Sequence, residues 1–405
     1  MAITSSTPLS WRASVTEADG SGFGADNLPF GVDAEGHVVV ANGTDVIDLA
    51  VLGGLEVGVE VFSSGSLNAF MALGPEAWLT TRTEIAARLD DLPAKAVRHR
   101  ADVRLELPFE VADYIDFYAS EEHATAMGRL LRPTGDPLPS AWKHLPLGYH
   151  GRSATVVVDG TPVPRPWGIV AGDGPPSFRP SARLDVEVEL GFVVGVGSRR
   201  GTRIAVERAD EHVFGVVLLN DWSARDIQAF EYQPLGPFLG KSFATSVSPW
   251  VVPLVALDRF RVPGPRQVPT PSAHLIADEP RNFDIRLSLE LNGTAISSIG
   301  TAGLYWSMAQ QLAHLTSNGA ATRTGDLFAS GTISGSGPNS AGSLMEVTSA
   351  GRDPIKLDDG STRTWLEDGD EVVIRGWCGE KGSARFVDLG EVRGAITAWQ
   401  EEVAS

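Results

Sequence analysis

The densest chemistry in the sequence lies in Leu184-Asp-Val-Glu-Val-Glu-Leu, a strict alternation of acidic and apolar residues. In an extended strand side chains two apart share a face, so Asp185, Glu187 and Glu189 point one way and the aliphatic residues the other. Like charges stacked on one strand face repel. Two arrangements relieve them: solvent along an exposed edge, or a hard cation with oxygen ligands. The strand alone leaves both open. A further acidic position closes the apolar run Val213-Phe-Gly-Val-Val-Leu-Leu-Asn-Asp-Trp. There Asp221 either caps a helix starting near Ser223 or projects into a site from the end of a buried strand.

Beyond Asp221, Arg225, Gln228 and Tyr232 recur at intervals of three and four. On a helix they share a face, and a guanidinium, an amide and a phenol together suit an oxygen-rich anionic ligand. The alternative is a surface helix on which Arg225 pairs locally with Asp226 or Glu231. Lys241 follows the tight apolar loop Pro234-Leu-Gly-Pro-Phe-Leu-Gly, a setting that favours a positioned cation. The glycine spacing before Lys241-Ser242 does not meet the phosphate-binding loop pattern, so nucleotide binding has little support. Among eight histidines, His123 lies in a polar segment with Asp116 and Tyr118 and is the candidate general base. His144 and His150 could line a pocket wall. His37, His99, His212 and His274 read as surface or packing residues, and His314 as structural. No His-Glu-x-x-His motif occurs.

The elements that must position these groups are mostly short strands. Glycine (44) and proline (26) together are about 17% of 405 residues, more than the usual share, which suits strands joined by turns. Short strands are expected through 27–70 and helical character over 68–92, with an amphipathic helix at 76–92. Ser120 is placed to cap a helix that carries Glu121, Glu122 and His123 in its first turn. Residues 132–180 read as ordered loops and short strands. Further strands are expected at 184–195, 213–219, 284–290, 343–349 and 371–376, and a helix at 302–317. Leu107-Pro108 is a natural joint. It divides a small N-terminal barrel-like domain with a terminal helix, 1–108, from a catalytic domain, 109–405, that no polar linker interrupts.

The formal net charge of −18 argues against nucleic acid as a partner. The single cysteine, Cys378, excludes an intrachain disulfide and a thiolate zinc cluster, and it fits a reducing compartment. The N-terminus lacks the charged and apolar regions of a signal peptide. The longest apolar run, near Val213 to Leu219, is far short of the roughly 20 residues a membrane helix needs. A cytoplasmic enzyme is expected.

Several blocks together resemble the fumarylacetoacetase (fumarylacetoacetate hydrolase) family. They are Asp116-Phe-Tyr-Ala-Ser-Glu-Glu-His-Ala-Thr, Leu147-Gly-Tyr-His-Gly-Arg, Leu184-Asp-Val-Glu-Val-Glu and Asn220-Asp-Trp-Ser-Ala-Arg-Asp-Ile-Gln, then Glu231-Tyr-Gln-Pro-Leu-Gly-Pro-Phe-Leu-Gly-Lys-Ser-Phe, Gly325-Asp-Leu-Phe-Ala-Ser-Gly-Thr-Ile-Ser-Gly and Gly342-Ser-Leu-Met-Glu. The resemblance implies a mostly β fold, with a small SH3-like N-terminal barrel and a large mixed β-roll, and a homodimer. It implies Asp116, Glu187, Glu189 and Asp221 as ligands of Ca²⁺ or Mg²⁺, and His123 as a general base oriented by Glu346. Arg225, Gln228 and Lys241 would face the substrate carbonyl, while Tyr118, Arg132, Tyr149, Tyr232 and Thr332 would grip the remaining oxygens. The implied reaction is hydrolysis of 4-fumarylacetoacetate to fumarate and acetoacetate, the last step of tyrosine and phenylalanine breakdown. The alternative within the same superfamily is an acylpyruvate hydrolase or a β-keto-acid decarboxylase.

Overall fold

Val38–Asn42 and Asp45–Asp48 are β-branched runs separated by Gly43-Thr44, and they fold back on each other antiparallel. Gly43 takes φ +61°, a left-handed backbone that glycine adopts without a Cβ clash. With Phe30–Val32 and Val97–His99 they form a four-stranded antiparallel sheet. The computed structural model that shows this describes residues 22–132, 134–172, 174–277, 281–383 and 385–399. The strands expected as far as residue 70 stop at Asp48. Its side chain accepts from the Val51 N–H at 3.1 Å and starts the first of three short helices, Leu49–Leu52, Val59–Phe62 and Asn68–Met71. The longer helix Pro75–Arg88 follows.

The larger part is built on a mixed sheet. Its strands run in the order Gly148–His150, Tyr114–Phe117, Leu327–Ala329, Val188–Val194, Val213–Asp221, Thr245–Val247 and Val156–Val158. Tyr114–Phe117 runs parallel to Leu327–Ala329, and Thr245–Val247 parallel to Val156–Val158, while the other pairs are antiparallel. Val188–Val194 and Val213–Asp221 are buried at every position, which explains the apolar stretches Leu190–Val194 and Val213–Leu219 and makes Glu189 and Asp221 buried exceptions. Alternate residues of Val213–Asp221 feed two cores. Val216 and Leu218 enter the main one, and Phe214, Val217 and Leu219 enter a second that holds Phe30, Phe62 and Phe70 of the N-terminal part. Edge contacts of Phe214 with Phe30, Phe70 and Trp78, at 5.5, 5.8 and 5.2 Å between ring centroids, seat that part on the back of the sheet. A five-stranded sheet packs on the main core, in the order Thr294–Gly300, Arg286–Leu291, Glu371–Cys378, Val387–Thr397 and Val163–Pro164. The chain is mostly β with a few helices, and an N-terminal domain is present.

Three further expectations need correction. The strand expected at 343–349 is a helical turn, Leu344–Val347, because Ser343 caps the Glu346 N–H at 3.3 Å. The helix expected at 302–317 is Met308–Leu315. A reciprocal capping box between Ser307 and Gln310 fixes its start, and Tyr305 and Trp306 are buried before it in non-helical backbone. The strand expected at 184–195 is interrupted. Leu184–Asp185 pairs with Ser223–Ala224, Val188–Val194 enters the large sheet, and between them Glu187 bridges Ser343. Among the described residues no helix is long and apolar enough to cross a membrane.

Candidate active site

Three strands of the mixed sheet deliver three carboxylates to one point. Asp116 comes from Tyr114–Phe117, Glu189 from Val188–Val194, and Asp221 from the end of Val213–Asp221. Their oxygens lie within 4.8 Å of one another, and all three residues are buried. Asp116 Oδ1 and both oxygens of Glu189 meet no hydrogen-bond partner among the described residues. Burial pushes the Glu189 carboxyl well above the usual range, and the charges of Asp116, Asp221 and Glu187 push it further. Asp116 is raised in the same way by burial and then by Asp221. Buried acceptors without donors are costly, and oxygen-only clusters of this kind suit a hard divalent cation. The residues present therefore fit such an ion.

Glu187 stands beside the trio in a different electrostatic setting. Arg225 Nη2 donates to its Oε1 at 2.6 Å, and Lys241 Nζ donates to its Oε2. Burial alone would raise its pKa, but Arg225, Lys241 and His123 together hold it well below the usual range. Lys241 Nζ also donates to Asp221 Oδ2 at 2.6 Å. Burial opposes its charge, yet Asp221, Glu187 and Asp116 raise its pKa above that of a free lysine. Asp221 further accepts from Thr245 Oγ1 at 2.9 Å and Tyr149 Oη at 3.4 Å. The helix-cap reading of Asp221 therefore falls: the cap position is Ala224, with no side-chain bond.

The helix Arg225–Glu231 brings Arg225, Gln228 and Tyr232 to a single cavity. Arg225 Nη1 donates to Gln228 Oε1 at 3.1 Å and Nε donates to Asp185 Oδ2 at 2.8 Å. Among the described residues Arg225 forms its ion pairs with Asp185 and Glu187, not with Asp226 or Glu231. Asp226 instead accepts from Ser181 Oγ and the Ala182 N–H, and Glu231 accepts from the N–H groups of Phe238 and Gly240. Glu231 thereby ties down the loop that presents Lys241.

Ser120 caps the helix Glu121–Leu131 by accepting from the His123 N–H at 3.4 Å, which sets His123 in the first turn. His123 Nδ1 lies 2.6 Å from Glu346 Oε2. Ser343 Oγ and Ser334 Oγ donate to the same carboxylate at 2.8 to 3.0 Å. Burial would raise the Glu346 pKa, but the His123 charge and these hydroxyls hold it below the usual range. An ionised Glu346 accepts from Nδ1–H, so a neutral His123 ring keeps Nε2 as a proton acceptor. The Tyr118 ring packs edge-on against the imidazole, 5.4 Å between centroids.

The cavity measures about 540 Å³. His123, Asp116, Glu187, Glu189, Arg225, Gln228 and Lys241 line it, as do Tyr118, Arg132, Tyr149, Tyr232 and Thr332. Asp221 and Glu346 stand behind this wall and act on it through Lys241 and His123. Arg132 is exposed and donates from Nη2 to the Pro137 carbonyl at 2.7 Å. His150 lines a smaller cavity beside Tyr149 and Lys241, and His144 lines neither. Sequence reasoning missed Ser334, Ser343, Thr245 and Glu231, together with the apolar wall of Met127, Leu131, Leu147, Met345 and Trp365. Only the Ser343-x-x-Glu346 spacing carried a local signal.

The fumarylacetoacetate (FAA) hydrolase C-terminal profile matches residues 114–396, and the fumarylacetoacetase N-terminal profile matches residues 26–112. The chain therefore belongs to the fumarylacetoacetate hydrolase family. It is 44% identical to the fumarylacetoacetase of Homo sapiens, covering 94% of this chain and 97% of that one. It is 42% identical to the fumarylacetoacetase of Caenorhabditis elegans, covering 95% and 99%. Among solved structures, a fumarylacetoacetate hydrolase from Exiguobacterium antarcticum is similar in fold, with a TM-score of 0.54, 18% identity, and coverage of 92% of this chain and 99% of that one.

Proposed function

We infer that this enzyme hydrolyses the carbon–carbon bond of 4-fumarylacetoacetate, giving fumarate and acetoacetate. The observation that carries the reading is one cavity whose wall presents His123, backed by Glu346, beside a buried three-carboxylate cluster and two fixed cations. The 44% identity to a fumarylacetoacetase over nearly the full length supplies the substrate.

In this mechanism His123 Nε2 takes a proton from a water that attacks the fumaroyl carbonyl carbon. Glu346 stabilises the imidazolium that results, as the carboxylate does in hydrolytic triads. Arg225, Gln228 and Lys241 face the carbonyl oxygen as charge builds on it, and a placed donor of this kind contributes roughly 3 kcal/mol. The bond to the acetoacetate carbon then breaks, its electron pair leaves as the enolate, and Lys241 stabilises that charge. The imidazolium returns its proton to the carbon, so the water is divided between the two products. Tyr118, Arg132, Tyr149, Tyr232 and Thr332 orient the substrate oxygens. Asp116, Glu189 and Asp221, with Glu187 at their edge, would hold Ca²⁺ or Mg²⁺, which when bound polarises the diketone oxygens.

The same reading takes the last step of tyrosine and phenylalanine breakdown as the setting, a cytoplasmic homodimer as the assembly, and residues 1–108 and 109–405 as the two domains. The four-stranded N-terminal sheet supports an SH3-like barrel, and the curled mixed sheet supports a β-roll. Turnover of 4-fumarylacetoacetate, an acylpyruvate and oxaloacetate by the purified chain tests the assignment. The expected preference is for 4-fumarylacetoacetate by a wide margin; faster turnover of either alternative overturns it.

A further inference from the structure

Asp185 shares the acidic alternation of Glu187 and Glu189 but does not line the cavity. It is fully buried, and both of its oxygens are engaged. Oδ2 accepts from Arg225 Nε at 2.8 Å and from the Met345 N–H at 3.3 Å. Oδ1 accepts from the Leu344 N–H at 2.7 Å and from the Val186 N–H at 2.9 Å. One carboxylate thus joins the guanidinium of Arg225 to the backbone of the turn whose next residue is Glu346.

We propose that Asp185 is a positioning residue that holds Arg225 and the His123–Glu346 pair at a fixed separation across the cavity. This rests on the functional reading above.

Three features support the role. The first is the guanidinium itself. Its partners are Asp185 at Nε, Gln228 at Nη1 and Glu187 at Nη2, so its plane is fixed from three directions. An arginine has five N–H donors, and those not engaged belong to the two Nη atoms. The second is the turn Leu344–Val347, only four residues long, whose helical bonds cannot fix its placement. The strand ladder is also interrupted at this point, leaving a Glu187–Ser343 bridge and the Val188 N–H to Gly342 carbonyl bond at 2.9 Å. The Asp185 carboxylate binds the turn just beyond those two contacts. The third is the chemistry of burial. A buried ion pair typically contributes little net stability compared with a well-packed apolar replacement. What it supplies is direction: Glu346 sits 2.6 Å from His123, a spacing sensitive to small shifts of the turn.

The test is Asp185→Asn. The amide can still accept from the Leu344 N–H, but its NH₂ group then meets Arg225 Nε–H, donor against donor. Circular dichroism and the melting curve are expected to show a folded protein, and Ca²⁺ affinity is expected to stay within about threefold. The value of kcat on 4-fumarylacetoacetate should fall by about 100-fold while KM changes by less than about fivefold. In an Arg225→Ala background the same substitution should cost less than about fivefold, because residues acting through one another are not additive. Wild-type kcat in folded Asp185→Asn, or a full and additive loss in the Arg225→Ala background, overturns the role. Should Asp185→Asn not fold, Asp185→Glu retains the charge and is read in the same way. Its extra methylene displaces the carboxylate from one partner, so kcat should fall at least about tenfold, and an unchanged kcat overturns the role. Wild type assayed beside the variants separates the two claims. Failure of wild type to turn over the diketone acid counts against the functional reading, whereas turnover retained by Asp185→Asn counts against the positioning role alone.

Discussion

Glu346→Gln removes the charge next to His123 and changes little else. The side chain keeps its length, so its contacts with Ser343 and Ser334 and the cap at Ser343 can persist. For the neutral imidazole, the form able to accept a proton, the loss is modest. The loss appears when His123 has taken a proton from water. The carboxylate oxygen is 2.6 Å from Nδ1, which puts the two charge centres about 4 Å apart. At an effective dielectric constant near 20, such a pair interacts by about 4 kcal/mol. That energy is present in the transition state and absent from the ground state, so it is read as kcat. The expected fall in kcat is about a thousandfold. Substrate affinity should change far less, since Glu346 stands behind His123 and does not line the cavity. The assay is steady-state loss of the diketone chromophore, with initial rates at saturating substrate. A kcat within about tenfold of wild type would refute the assignment of His123 and Glu346 as a charge-stabilised base.

Glu189→Gln tests the cation site, and a melting curve reads it without activity. Wild type should gain thermal stability on addition of Ca²⁺ or Mg²⁺, by about 4 kcal/mol at a thousand times Kd, and the variant should lose most of that gain. Equal stabilisation of both proteins would remove Glu189 from the site. The sign with pH is also fixed. The folded-state pKa of Glu189 is raised, so its contribution to stability is present below its unfolded pKa and is lost as pH rises through the folded value. Without cation, Glu189→Gln should therefore be more stable than wild type at pH 8 and not at pH 4. Asp159, which does not line the cavity, is a cleaner case of the same sign. Burial lifts its pKa to about 6, and its Oδ1 accepts from the Arg393 N–H at 2.6 Å. Asp159→Asn keeps that acceptor and should stabilise the protein at pH 8 by roughly 1–2 kcal/mol, allowing for solvent screening of a partly exposed group. At pH 4 denaturant melts should show no gain; a gain at both pH values would argue against the titration of Asp159.

The groups of the site were legible where a local period placed them. Alternation marked Glu187 and Glu189, the end of a buried run marked Asp221, helical spacing gathered Arg225, Gln228 and Tyr232, and Ser120 announced the helix of His123. What was not legible is how distant segments meet. Residues 344–347 read as a strand because Leu344, Met345 and Val347 are apolar, yet Ser343-x-x-Glu346 is a capping pattern that favours a turn of helix. That turn is what brings Glu346 to His123 across 223 residues. The sequence leaves Asp185 without a catalytic role, as a structural member of the acidic face, but not its partners: the ladder breaks at 186–187, and its carboxylate serves Arg225 and the turn. The helix expected at 302–317 began too early because Leu304 falls in helical period with Met308, Leu312 and Leu315, whereas the backbone before the Ser307 cap is non-helical and Tyr305 and Trp306 there pack on Trp142. The family blocks supplied Asp116 and Glu346 as partners, which spacing alone did not.

In the proposed reaction, water activated by His123 attacks the fumaroyl carbonyl of a diketone acid. A single turnover of 4-fumarylacetoacetate in H₂¹⁸O, quenched before ketone exchange and read by mass spectrometry, tests it most directly. One ¹⁸O is expected in the newly formed carboxylate of fumarate and none beyond the exchange control in acetoacetate. Unlabelled fumarate, or label delivered to acetoacetate, would contradict it.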